Sequence, residues 1–102
     1  MRARETLTRA LKMADDAAVR DLLAQSHLRA RELWPAVHHL EKAAARSSGN
    51  ERARRYSTLG GVYEQLGKRG EACRAFRVAL AASPGYAPAR RQAAHCPTGT
   101  SR

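Results

Sequence analysis

The sequence predicts an all-α protein, an α-α superhelix of antiparallel helix hairpins with about two full repeats flanked by half-repeats. Three observations lead there. Ala and Arg supply 21 and 16 of the 102 residues, Ile is absent, and Val and Thr together fill nine positions, so helix formers dominate and sheet formers are scarce. A small-large-small apolar pattern recurs three times, at spacings of 33 and 36 residues. Turn-forming clusters then separate the periodic stretches at regular intervals.

Element by element, the spacing predicts helices over 2–14, 17–31, 35–46, 51–66, 70–82 and 87–95. The pattern is carried by Ala3, Leu7, Ala10 and Leu11, by Ala36, Leu40, Ala43 and Ala44, and by Ala72, Phe76, Ala79 and Leu80. Each set falls at i, i+4, i+7 and i+8, one stripe of a helix that must be covered by a neighbour. A second kind of segment precedes the last two. It holds Leu23, Ala24 and His27 in one copy and Leu59, Gly60 and Tyr63 in the other, and a third copy begins with Ala93 and Ala94. The small residues Ala24, Gly60 and Ala94 are expected where a partner helix approaches closely, since bulk there would overpack the pair.

The punctuation fits paired helices. Asp15 and Asp16 suit a helix N-terminus, where negative charge complements the dipole. Pro35 suits a first helical turn and Gly67 a left-handed cap. Ser47-Ser48-Gly49-Asn50 and Ser83-Pro84-Gly85 end the preceding helices, and the polar stretch 96–102, broken by Pro97, is expected to be a disordered tail.

These residues resemble the tetratricopeptide repeat family, whose 34-residue unit reads W-x2-L-G-x2-Y, then A-x3-F, then A and P. In the better unit, 53–86, Tyr56 stands at the Trp place and Leu59, Gly60, Tyr63, Ala72, Phe76, Ala79 and Pro84 follow in register. Its predecessor, 17–50, is degenerate, with Arg20 at the Trp place, His27 at the Tyr place, Arg31 where Gly67 stands and Ser48 where Pro84 stands. Residues 1–14 and 87–95 are similar to half-units. With polar outer faces such as Arg4, Thr8 and Lys12 or Arg90, Arg91 and His95, they read either as caps or as cut ends of a longer solenoid.

Chemistry of other kinds is sparse. No phosphate loop, G-x-S-x-G or HExxH occurs, so catalytic, cofactor and metal residues are not expected. His38 and His39 are adjacent on a helix and point about 100° apart, which suits a surface pair better than chelation. His27 reads as a packing residue, and Trp34 as either a staple at the inter-helix turn or an exposed partner anchor. Arg54-Arg55-Tyr56-Ser57 matches a basophilic kinase acceptor, though Ser57 should lie inside a helix. Cys73 and Cys96 stand 23 residues apart without ligand spacing, so reduced thiols and a cytoplasmic location are the expectation. No apolar run spans a bilayer, and the start MRARETLTRAL lacks the core of a secretion signal.

What the resemblance implies is a non-catalytic module that binds a peptide or partner helix in a concave groove lined by the first helices of successive units. Carried over position by position, the groove residues are Asp21, Gln25, Leu28 and Arg29, then Arg54, Ser57, Gly61 and Glu64, then Arg91, with Ala18, Gln65 and His95 beside them. The Lys and Asn clamp of chaperone-binding members is not matched, because Asp21, Gln25, Ser57 and Gly61 stand there. Arg29, Arg54 and Arg91 suit an acidic segment instead. The alternative is a nucleic-acid binder, motivated by the net charge of +10 and by Arg52, Arg54, Arg55, Lys68, Arg69, Arg74 and Arg77. Against it, these residues scatter over several faces and no row of aromatics offers stacking.

Overall fold

The computed structural model describes residues 4–6 and 16–96, all of the regular structure in them is helical, and they contain no strand. Five helices follow in order: α1 (Ala17–Arg29), α2 (Leu33–Ala45), α3 (Gly49–Gln65), α4 (Arg69–Ala82) and α5 (Ala87–Ala93). Residues 4–6 are helical too. The rest of the expected half-unit 1–14 and the tail residues 97–102 lie outside the described residues. Each helix packs on its successor, most extensively α3 on α4 and α1 on α2, and α3 also reaches α5.

Capping explains several boundaries. The Asp16 carboxylate accepts from the Val19 amide at 2.9 Å and starts α1. Helix α2 begins at Leu33, so Pro35 sits in the first turn, where its missing N–H has no helical partner to lose. That start corrects the staple reading of Trp34. The residue lies within the helix and is 54% exposed, while half-buried Leu33 packs against the core.

The turns inside the two hairpins are the same turn. At the end of α1 the Glu32 amide donates to the His27 carbonyl (2.8 Å) and the Arg31 amide to the Leu28 carbonyl (3.0 Å). At the end of α3, 36 residues on, the Lys68 amide donates to Tyr63 (2.8 Å) and the Gly67 amide to Glu64 (3.0 Å). Both are Schellman caps, which need a left-handed residue at the penultimate place. Gly67 supplies it with φ 77°, and Arg31 adopts it with φ 63° despite its Cβ.

Packing places the small residues where the sequence asks for them. Ala24 and Leu40 are fully buried in a cluster with Val37, Leu59 and Val62, which ties α1, α2 and α3 together. Gly60 is buried as well, and a Cβ built on it would come closer than 3.0 Å to three carbons of the Phe76 ring. Gly60 thus meets Phe76, and 36 residues earlier the equivalent positions hold Ala24 and Leu40, both buried in one cluster, so the hairpin with the larger side chain in its second helix is the one with glycine in the first.

The third small place is a correction. Ala94 is exposed, whereas Cys96, 36 residues after Gly60, is buried and bonded to Cys73 with a Cα–Cα distance of 5.8 Å. The expected reduced thiols are thus joined, and the argument they gave for a cytoplasmic location goes with them. Helix α5 folds back over α4, which brings together cysteines that their separation in sequence does not pair. Cys96 belongs to the packed structure, not to the tail.

Gly60→Ala is expected to cost about 1–3 kcal/mol through overpacking against the enclosed Phe76 ring. Adding Phe76→Leu, which copies the Ala24–Leu40 arrangement, should make the double variant more stable than the sum of the single losses requires. Urea midpoints of the four proteins check this.

Candidate functional site

The positions carried over as a groove come from α1, α3 and α5, and the structure treats them unequally. Asp21 and Arg54 face each other across α1 and α3, with Oδ2 and Nη1 at 3.9 Å. The other carboxylate oxygen, Oδ1, lies 3.9 Å from Nε of Arg55. These are ion pairs too long for hydrogen bonds. Among the described residues both Asp21 Oδ1 and Arg55 Nε are buried without a hydrogen-bond partner.

Arg55 is 5% exposed, and its Nη1 donates to the Ser47 hydroxyl and, at 3.5 Å, to Glu51. Ser47 passes the contact on to the Ala43 carbonyl at 2.7 Å. One guanidinium thereby links α1, the end of α2 and α3. Arg55, one of the basic residues that motivate the nucleic-acid alternative, is therefore not available to a phosphate. Its spacing of four and seven residues before the buried Leu59 and Val62 puts it on the inner stripe of α3, and that periodicity is the signal that could have found it.

Ser57 departs from its expected place. Its hydroxyl is buried and donates to the Gln92 side chain, so it joins α3 to α5 and is covered against both a peptide and a kinase. Leu28 is half-buried and leans on the core, which leaves little of it as an apolar anchor. Gln25 is half-buried. Open surface remains at Gly61, where a Cβ would meet nothing within 4 Å, and at exposed Arg29, Glu64 and Arg91. Ala18, Gln65 and His95 are exposed beside them.

The remaining basic residues do not converge. Arg52 lies over the Tyr56 ring at 5.5 Å, Arg74 pairs with Glu71 at 3.8 Å, and Arg69 donates to the His95 carbonyl at 2.9 Å. Three histidines, His27, His38 and His39, cluster near the first turn. His27 Nδ1 and Glu32 Oε1 lie 2.7 Å apart, and the hydrogen bond from His27, seconded by Arg4 at 2.9 Å, holds the Glu32 carboxyl below its ordinary value. The rings of His27 and His39 stack 5.5 Å apart, with His38 edge-on to His39 at 5.1 Å. His38 is exposed as expected, and no group of three or more potential metal ligands converges among the described residues.

On another side, a cavity of about 420 Å³ opens between α2, α3 and α4, bordered by Glu41, Tyr56, Leu59, Tyr63, Glu71 and Val78. The Tyr63 hydroxyl donates to Glu41 at 2.7 Å. Burial, followed by the hydrogen bond to Glu41, raises the Tyr63 pKa from 10.0 to about 12. Leu22 and Trp34, each 54% exposed, are the large apolar side chains left in solvent among the described residues. No described helix is long and apolar enough to cross a membrane. Searches of protein-family models and of curated proteins find no match for the chain.

Two predictions follow the burial and the pKa. Arg55→Ala removes the buried guanidinium that holds Ser47 and leaves Asp21 with Arg54 alone, which should cost about 3 kcal/mol, whereas Arg54→Ala at the exposed end should cost less than about 1 kcal/mol in the same denaturation assay. A phenol whose pKa is higher in the folded state adds stability that is complete below pH 10 and fades as pH rises toward 12. Denaturation midpoints should fall across that window, and Tyr63→Phe should flatten the fall.

Proposed function

We propose that this chain is a non-catalytic interaction module of tetratricopeptide-like hairpins. It holds an acidic peptide or partner helix along the face shared by α1, α3 and α5. The observation that carries the reading is the duplicated Schellman turn: the same pair of backbone hydrogen bonds recurs 36 residues later, and the buried small residues Ala24 and Gly60 recur with it. Hairpins repeated in register present equivalent positions of their first helices on one side, which is how a solenoid builds an extended binding surface.

Within that face the residues available to a ligand are Arg29, Gly61, Glu64 and Arg91, with Arg54 held partly by Asp21. Arg29 and Arg91 make no ion pair among the described residues. Each is a planar donor suited to a carboxylate. Gly61 lets a ligand backbone approach without meeting a side chain. Asp21, Ser57 and Leu28 serve the fold more than the ligand, so the binding share of the nine positions is smaller than their number.

The net charge of +10 favours a second reading, in which the ligand is a nucleic acid. The burial of Arg55 and the engagement of Arg52, Arg69 and Arg74 count against a continuous phosphate track.

Proteins retained from a lysate by the tagged chain, identified by mass spectrometry, supply the partner for quantitative binding. Arg29→Glu with Arg91→Glu is expected to weaken that partner on the order of tenfold, and unchanged affinity would show the assigned face to be wrong. Titration with a random oligonucleotide at two salt concentrations decides the second reading, because phosphate-driven binding must be tight at low salt and fall steeply as salt rises.

A further inference from the structure

Helix α5 is the least self-sufficient described element. It has seven residues; Ala89 is its one buried residue, set against Ala53 and Ala79, and half-buried Ala93 packs against the cluster of Ala72, Cys73, Phe76 and Cys96. Beyond that it is held by the Ser57–Gln92 hydrogen bond, by Arg69 on the His95 carbonyl and by the bond between Cys73 and Cys96. A helix so short is unstable in water by itself. The largest core cluster, Ala24, Val37, Leu40, Leu59 and Val62, contains no residue of α5 and neither cysteine. The covalent link lies in a second cluster, with Ala72 and Phe76, apart from that one.

We propose that the Cys73–Cys96 disulfide is a redox latch on α5. Oxidised, it clamps the helix onto α3 and α4. Reduced, α5 detaches while α1 to α4 stay folded, and the strip it covered, Ala53, Ser57 and Ala79, is exposed.

The reductant is a dithiol. Its first thiolate attacks Sγ of Cys96, which at 9% exposure and just beyond a short helix is easier to uncover than Cys73, at 5% within α4. The disulfide breaks, and Cys73 leaves as a thiolate and takes up a proton. The reductant's second thiolate then resolves the mixed disulfide and releases Cys96, which is protonated in turn. Two electrons and two protons pass to the chain, and the reductant departs as its own cyclic disulfide.

The latch is tested without any ligand, so its failure and that of the proposed groove are separate outcomes. Hydrogen exchange is measured on the full chain, air-oxidised and then treated with dithiothreitol, with the Cys73→Ser/Cys96→Ser double variant alongside. Removing the cross-link should lower protection of the Arg90 and Ala94 amides on the order of a hundredfold, leaving Leu40 and Leu59 protected. The variant should match the reduced protein. Unchanged α5 protection on reduction, loss of protection throughout the chain, or two free thiols by mass after air oxidation would each overturn the proposal.

Discussion

The close approach of two helices within each hairpin is the constraint on which the remaining structure depends. At Gly60 the backbone of α3 lies so near the Phe76 ring that no side chain fits between them, and at the equivalent place of the first hairpin Ala24 is fully buried in one cluster with Leu40. Interiors packed to this density tolerate neither addition nor removal. With that approach secured, three-residue links suffice to reverse the chain at 30–32 and 66–68, and the Schellman hydrogen bonds follow from the reversal. The left-handed backbone at Arg31 illustrates the order of causes: the hairpin imposes on arginine a conformation that glycine takes freely.

Between hairpins the joining is of a different character. Apolar contact from Leu59 and Val62 is supplemented by a polar knot in which Arg55 engages Ser47, Glu51 and Asp21. Its geometry is imperfect, with a carboxylate oxygen and a guanidinium nitrogen left unmatched. An ion pair of this sort adds little net stability over a well-packed apolar pair, but losing one member leaves a charge in a poor solvent. The knot therefore constrains how one hairpin sits on the next more than it strengthens the contact.

Much of the architecture was legible from the amino acids because it rests on local rules. The number and order of the helices described, Asp16 as a cap, Gly67 as a left-handed residue and Gly60 as a close-contact position all follow from spacing and from side-chain size. The misreadings concern contacts made across space. Cys73 and Cys96 meet only because α5 turns back over α4. Ser57 is covered only because Gln92 lies above it, and Arg55 is buried because its stripe, not its charge, decides which way it points. The accessibility of the groove positions likewise depends on neighbours that no motif names.

The positions of Ala24 and Leu40, and of Gly60 and Phe76, also bear on how such a chain can be rebuilt. Gly60 and Phe76 are complementary inside one hairpin, and Ala24 and Leu40 share a cluster in the other, so recombination at the serine-rich joints, 47–48 or 83, transfers each set intact. A crossover at the tight reversals would unite Ala24 with Phe76, a methyl group where the ring leaves room for hydrogen alone. The seams at which this protein can gain or lose a module are thus set by steric bookkeeping within the hairpin, and duplication in steps of 36 residues is the step that respects it.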